Sequence, residues 1–507
     1  MKLMNSLVGP SHKARSTAIA VGAAILLVAT VAMPASANRD GFLTSNEPYI
    51  TIADGLPSGA SATAIISVGD EIGDFMFEGI PDGVGIRPGP DKHSMDVYVA
   101  HEQTLVPFRN ERDFQSASVS KLTMSTKAGP GQGSISAASV AIGPEEGFQR
   151  FCSASMAGPD EGLDGYVFFT GEESSEFFEG EQLGFAVVLD TDSGEFTAVP
   201  GMGRLNHENT VVIPGGWDEL AMLTTDDTFS AATSQLYMYT AADQDAIFAD
   251  EGELWALRIT GVDGVTLADP TDAFNGANDY LDLDVGESFQ GEFIPVPQNV
   301  ARGDQVALED WSNDNNVMQF IRLEDVAADK NDPLTVYIAD TGGSRVEPDP
   351  DTGRMGRPDD AIGLADNGRI FKMVMNGDDP RIVDSLTILA DGDVDPASPV
   401  YVPMRAPDNI DTSKKSLMVQ EDASEAKIWQ LRIRQGDWRV VATVNDPGGE
   451  SSGVVDASEW LGGGRWLVTV QAHSTFIDQE LDDDDDGEVV TVKREDGQLL
   501  LMTIPGS

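Results

Sequence analysis

The chain has 507 residues, of which 85 are acidic and 32 basic, and its formal net charge is −53. This acidity argues against nucleic acid or an anionic membrane surface as a partner. It fits cation binding or adaptation to salt, between which composition does not decide. Hydrophobic residues make up 41% of the chain, which argues against disorder and allows a large core.

The N-terminal segment has the pattern of a secretory signal. Basic residues precede an apolar run that ends in the small-residue cleavage site Pro34–Ala37. A retained transmembrane anchor is the alternative, but the run is short for crossing a bilayer. We therefore expect a signal peptide at 1–37 and a single secreted domain at 38–507.

One cysteine, Cys152, occurs in the chain. A secreted protein with one cysteine has no internal disulfide, so its thiol is buried and inert, paired with another molecule, or bound to a metal. From the residue types alone, the buried inert thiol is the default.

Short apolar runs dominate the chain, and its 52 glycines and 27 prolines with few helical patterns favour an all-β fold. Six strand-like runs end in polar or acidic residues, and the gaps between them can each hold a four-stranded blade. The runs are Val97–Glu102, Tyr166–Glu173, Leu220–Asp227, Val336–Asp340, Leu417–Asp422 and Trp466–His473. This spacing predicts a β-propeller with six blades and loop insertions. Strands pointing to one mouth would gather their terminal carboxylates there. The alternative is that strands of an acidic protein end in acids by chance.

The stretch from Gln319 to Gly343 has the most specific local pattern. Arg322 and Glu324 lie two residues apart, so on an extended segment they face the same side. The following short strand ends in Asp340. A cation and a carboxylate on one face, beside a strand that ends in an acid, indicate an anion and metal site. A surface salt bridge beside a hairpin is the alternative.

These motifs together resemble the PhoX-type alkaline phosphatases. Arg322-Leu-Glu-Asp and the strand after it resemble the Arg-Pro-Glu-Asp element of that family. Further elements agree in order between Asp96 and His473: His101-Glu102, Arg150-Phe-Cys152 followed by Glu172-Glu173, Gly203-Arg-Leu-Asn-His-Glu208, Pro407-Asp-Asn-Ile410, and Glu421-Asp422. The resemblance covers most of the chain after the signal.

The resemblance implies a secreted six-bladed propeller whose phosphatase site is a cluster of iron and calcium ions. It implies iron (Fe3+) bound by Cys152, Glu208 and Glu324, and it assigns Arg322 to the phosphate. It implies calcium (Ca2+), directly or through the surrounding shell, at Glu102, Glu173, Asp408 and Glu421. Carboxylates suit calcium, and a thiolate among them adds preference for a transition metal. Under this resemblance Arg322 and Glu324 are the catalytic residues.

The function indicated is a metal-dependent phosphomonoesterase that acts on small phosphate esters. We expect a monomer that binds neither nucleic acid nor, after signal cleavage, a membrane. His101, His207 and His473 are expected to support the site by hydrogen bonds rather than to ligate metals. Two other functions stay open: a calcium-stabilised propeller that binds a partner without catalysis, and a calcium-dependent ester or lactone hydrolase.

Overall fold

The computed structural model describes residues 42–104, 116–175, 177–178, 181–228, 233–343, 345–358, 365–445, 449–480 and 489–507. The predicted signal segment, 1–37, lies outside these ranges. Strands hold 51% of the residues and helices 8%, so the predicted all-β class is confirmed. No helix within these ranges is long and apolar enough to cross a membrane.

The strands are short and follow one another closely. The first are β1 Ile50–Ile52, β2 Ser61–Ser67, β3 Glu71–Ile72, β4 Phe75–Met76, β5 Gly79–Pro88, β6 Ser94–Gln103, β7 Ser118–Ser125, β8 Ile135–Ile142, β9 Phe151–Ala157, β10 Val167–Glu172, β11 Phe177–Phe178, β12 Glu181–Gln182, β13 Ala186–Asp190, β14 Phe196–Ala198, β15 His207–Val212, β16 Leu220–Asp226 and β17 Leu236–Ala241. The remainder are β18 Glu253–Val262, β19 Val265–Thr266, β20 Phe289–Pro295, β21 Leu323–Asp329, β22 Asp332–Asp340, β23 Glu347–Asp349, β24 Arg354–Gly356, β25 Arg369–Met375, β26 Ile382–Asp391, β27 Pro407–Thr412, β28 Ser416–Glu421, β29 Lys427–Arg432, β30 Asp437–Val444, β31 Gly449–Asp456, β32 Arg465–Glu480 and β33 Val489–Thr503.

The α-helices are small and lie in connections. They are α1 Gln244–Phe248, α2 Gln298–Ala301, α3 Gln305–Asp314 and α4 Ser458–Leu461. The helix α3 begins after Asp304, whose carboxylate accepts a hydrogen bond of 2.9 Å from the Ala307 amide. This N-cap satisfies one of the amides that have no partner within the helix.

The strand pairings form six antiparallel groups of four strands each, and β1 adds a further strand to the fifth group by pairing with β30. In chain order these are β5–β8, β9–β10–β13–β14, β15–β18, β21–β22–β25–β26, β27–β30, and β31–β32–β33 with β2. The third and fourth groups are continuous in one sheet, because β20 pairs with both β18 and β26. The fold is a propeller, and its number of separate blades stays a prediction.

The last group contains strands from both ends of the described chain. Strand β2, near the N-terminal end of the described residues, pairs with β33 in a register that runs from Ser61 opposite Thr503 to Ser67 opposite Gln498. Apolar residues of successive groups pack against one another, and strands such as β16 and β28 are buried along their whole length. A strand buried on both faces carries a nearly continuous apolar run, which is the pattern that the sequence showed in these segments.

Each first strand of the six groups carries a β-bulge at an equivalent place. In every case two residues of the first strand face one residue of the second strand. The bulged pairs are Asp82–Gly83, Cys152–Ser153, Glu208–Asn209, Glu324–Asp325, Asp408–Asn409 and Ser452–Gly453. Bulges redirect side chains and are common beside functional sites. The repeated bulge therefore marks one equivalent position in the six first strands, called here the level of the bulges, as the place to look for a functional site.

The bulges depend on close approach of neighbouring groups. A Cβ added at Gly83 would lie 2.0 Å from the backbone nitrogen of Ala154. We predict that Gly83→Ala lowers the free energy of unfolding by about 2–3 kcal/mol, because the two first strands must separate. Urea denaturation measures this change. Gly463→Ala is the matched control, since a Cβ there meets nothing within 4 Å. Equal stability of the two variants would contradict this account of the packing.

Candidate metal and phosphate site

Acidic side chains and the single thiol converge at the level of the bulges. Three groups of candidate ligand atoms have all their members within 4.8 Å of one another. They are Asp82, Glu102 and Cys152; Cys152, Glu173 and Glu208; and Glu208, Glu324 and Asp408. The groups share members, so they form one continuous row, called here the acidic row. Six of the seven predicted metal ligands lie in it.

The seventh predicted ligand, Glu421, lies outside the acidic row. Its Oε1 accepts hydrogen bonds from the Arg405 amide at 3.0 Å and the Trp429 indole at 2.7 Å. Its Oε2 accepts one from the Lys427 amide at 3.1 Å. The next residue, Asp422, follows the end of β28, and its negative charge contributes to raising the pKa of Asp408. The assignment of Glu421 to calcium stays a prediction, and its contacts within its own strand group make Asp422 the alternative acid.

Asp82 is a member of the acidic row that sequence reasoning missed. Its Oδ2 accepts hydrogen bonds from Cys152 Sγ at 3.3 Å and from Gln471 Nε2 at 2.6 Å. Its buried Oδ1 has no hydrogen-bond partner among the described residues. The sequence motifs that indicated the site all lie after β5. Within β5, the combination Pro81-Asp82-Gly83 is typical of a turn. The repeat of the bulge is the signal that identifies this residue.

Arg322 and Glu324 lie on one face, as the spacing predicted. Arg322 Nη2 is 3.3 Å from Glu324 Oε1. The guanidinium also forms a two-pronged pair with Asp227, with Nε to Oδ1 at 2.8 Å and Nη2 to Oδ2 at 2.6 Å. This geometry fixes the plane of the guanidinium. Asp227 was recognised only as the end of a strand.

Two of the three histidines form hydrogen bonds with residues outside the acidic row, and their supporting role stays a prediction. His101 Nε2 lies 2.8 Å from Ser120 Oγ, while His207 contacts Thr224 Oγ1 and the Gly203 carbonyl, each at 3.1 Å. Burial lowers the pKa of His101 to about 3 and that of His207 to about 4. Both rings are therefore neutral at physiological pH. The side chain of His473 lies outside the described residues.

Polar side chains beside the bulges form hydrogen bonds with one another and contact the acidic row at Glu208. Ser153 Oγ donates to Glu208 Oε2 at 3.0 Å and accepts from Asn409 Nδ2 at 2.6 Å. Asn209 Nδ2 donates to Asp325 Oδ1 at 2.6 Å. Ser153, Asn209, Asp325 and Asn409 are the second members of four bulged pairs. Ser153 among them contacts the acidic row directly, at Glu208.

Burial makes the acidic row electrostatically costly. Desolvation, followed by neighbouring charges, raises the pKa of Asp82 and of the Cys152 thiol well above their ordinary values. Desolvation likewise raises the pKa of Glu208, Glu324 and Asp408. A cluster of buried acids such as the acidic row is stable when it binds protons or cations.

The donor set fits bound cations. It combines several carboxylates, suited to calcium, with one thiol, suited to a transition metal such as iron. Asp82 Oδ1, which is buried and has no hydrogen-bond partner in the described part of the chain, is one oxygen available as a metal ligand. The arrangement can therefore bind cations in the row and an anion at Arg322.

Comparison with protein families gives one match that covers more than half of the chain. Residues 141–467 match the profile of the family described as alkaline phosphatase PhoX. No curated protein matches this chain.

One solved structure supports the same fold, and two others are reported beside it. The structure of Pseudomonas fluorescens PhoX in complex with vanadate, a transition state analogue, is 14% identical with a TM-score of 0.59, over 90% of this chain and 97% of that chain. Pseudomonas aeruginosa periplasmic gluconolactonase is 13% identical with a TM-score of 0.36, over 84% and 89% of the two chains. A putative 6-phosphogluconolactonase from Bacteroides uniformis is 10% identical with a TM-score of 0.33, over 81% and 84%.

The contacts of Glu421 lead to a test of its role. We predict that Glu421→Gln lowers the free energy of unfolding by about 1–3 kcal/mol, because an amide group replaces one hydrogen-bond acceptor facing buried donors. Elemental analysis of the purified variant should show unchanged bound metal. Glu208→Gln is the comparison, and it should lose metal. Equal metal loss in the two variants would show that Glu421 is a ligand after all.

The raised pKa values predict how pH affects the metal-free protein. Burial raises the pKa of Glu173 and of Asp325 to about 7, from 4.5 and 3.8 respectively. These pKa values are higher in the folded protein than in the unfolded protein. Protonation of the two groups therefore contributes fully to the stability of the fold below about pH 4, and this contribution is lost as pH rises through 7.

Thermal unfolding between pH 4 and 8 measures this dependence. The two buried histidines, whose pKa values are lowered, act in the opposite sense between pH 4 and 6.5, but the carboxyl groups with raised pKa values outnumber them. The chelator-treated protein should therefore lose stability as pH rises, and saturating calcium should flatten the curve because bound cations favour ionised carboxylates. A metal-free protein whose melting temperature increases over this range would contradict the prediction.

Proposed function

This chain belongs to the PhoX alkaline phosphatase family, and on that basis we propose that it is a secreted, metal-dependent phosphomonoesterase. In this proposal a signal peptide at 1–37 precedes a propeller domain at 38–507. The observation that carries the proposal is the position of Arg322 beside the acidic row, in contact with Glu324. An anion-binding group and cation-binding groups are the two components that phosphate hydrolysis needs together.

The acidic row divides between two kinds of cation in this proposal. Cys152, Glu208 and Glu324 are the proposed iron ligands, because the thiol distinguishes this part of the row. Glu102, Glu173 and Asp408 are proposed for calcium, and Asp82 joins them on its geometry. Bound cations would offset the phosphate charge and lower the pKa of a coordinated water.

The chain itself would position the phosphate through Arg322. Asp227 engages the Nε and Nη2 atoms of the guanidinium. Among the described residues, no carboxylate pairs with Nη1, and we assign this atom to a phosphate oxygen. Asp227 would thus hold Arg322 in place while one N–H edge binds substrate. A planar guanidinium fixed in this way loses little entropy on binding.

Hydrolysis of a chromogenic phosphate monoester tests the function. Protein loaded with calcium and iron should hydrolyse it, and a chelator should abolish activity. Arg322→Ala should lower kcat/KM by about 100-fold or more at unchanged metal content, because a charge-stabilising donor is lost. Arg258→Gln is the control, since Arg258 pairs with Glu292 on strands away from the acidic row.

Three results would contradict the proposal: no phosphate hydrolysis by the metal-loaded protein, full activity after chelation, or undiminished activity of Arg322→Ala. An aryl acetate and a lactone, assayed in parallel, identify the ester or lactone hydrolase alternative. Calcium binding without hydrolysis of any of these substrates would favour the non-catalytic binding propeller.

A further inference from the structure

Arg150 occupies, in the second strand group, the place that Arg322 occupies in the fourth. It lies two residues before Cys152, as Arg322 lies two residues before Glu324, and both pairs include a bulge residue. The two side chains have similar exposure, 25% and 23%. Arg150 has a φ of 42°, in the left-handed region that non-glycine residues seldom adopt. The backbone is thus held in an unusual conformation at this arginine.

The Arg150 guanidinium lies between two carboxylates of the acidic row. Its Nη1 is 3.4 Å from Glu173 Oε2, and its Nε is 3.8 Å from Glu102 Oε2. The side chains of these two acids are only 9% and 7% exposed. Glu102 belongs to one candidate ligand group with Cys152, and Glu173 belongs to the other. One fixed positive charge therefore contacts both groups that contain the thiol.

A guanidinium in this position competes with a metal ion. It takes up the same carboxylate oxygens that a divalent cation would use, and the two positive charges repel each other strongly where water is excluded. Among the charged groups near Glu173, Arg150 has the largest effect in lowering its pKa.

We propose that Arg150 is an internal cation that takes the place of one metal ion between Glu102 and Glu173. The end of the acidic row that contains Glu102 consequently binds fewer divalent cations than its carboxylates would otherwise allow. The inference rests on the proposed function only in requiring that the acidic row binds cations, and it makes no claim about the reaction.

Calcium binding to the full chain tests the inference. The bound ions per chain are measured by equilibrium dialysis and elemental analysis, for the natural protein and for Arg150→Gln. The variant should bind about one additional Ca2+ ion, or bind the same ions at least about tenfold more tightly, because the Glu102 and Glu173 oxygens that contact Arg150 become available to a further ion. Arg150→Lys retains the charge and should bind as the natural protein does.

A double variant distinguishes a change in calcium binding from an effect of Arg150→Gln on folding. Arg150→Gln combined with Glu173→Gln removes one charge of each sign, and it should return calcium binding to the natural level. Arg258→Gln is the control for removing an arginine elsewhere. Unchanged calcium stoichiometry and affinity in Arg150→Gln would overturn the inference, as would an equal gain in Arg258→Gln.

Failure of the proposed function gives a different result. A natural protein that binds calcium but hydrolyses no phosphate ester contradicts only the phosphatase assignment. Absence of bound calcium from the natural protein and from Arg150→Gln overturns both.

Discussion

The burial of several acids beside one another in the acidic row is the constraint on which the rest of the structure depends. Desolvation first, with repulsion by neighbouring acids added to it, raises the pKa of five carboxylates of the row and of the Cys152 thiol. No fold gains stability from such a group without counter-charge. Arg322 and Arg150 supply part of it through direct ion pairs. In the proposed function, cations supply the remainder.

The repeated β-bulge explains how distant parts of the chain reach one place. Each first strand inserts one extra residue at an equivalent level, and five of the six insertions begin with a candidate ligand. Acidic residues at and just after the ends of the second strands have two different kinds of contact. Glu172, Asp340 and Glu421 accept backbone hydrogen bonds within their own groups, whereas Glu173 and Asp227 contact the two arginines. Residues at the ends of the second strands therefore hold the scaffold, and residues directly after those ends contact the arginines.

The sequence predicted the propeller and most of the acidic row, because strand ends that repeat along the chain are visible as motifs. It missed Asp82, since Pro-Asp-Gly is as typical of a turn as of a bulge. Its assignment of Glu421 stays a prediction, because a motif does not show which of two neighbouring acids faces the site. That depends on the register of the strand end, which long-range pairing fixes. The continuous sheet through β20 also arises from pairing between distant segments. The signal segment lies outside the described residues.

Anomalous X-ray diffraction from crystals of protein loaded with iron and calcium tests the central claim most directly. The account predicts an iron peak within bonding distance of Cys152 Sγ and Glu208, and calcium peaks among the remaining carboxylates of the acidic row. It predicts no metal peak between Glu102 and Glu173, where Arg150 lies. Crystals of loaded protein with no metal at the acidic row, or with metals bound only at other surfaces, would contradict it.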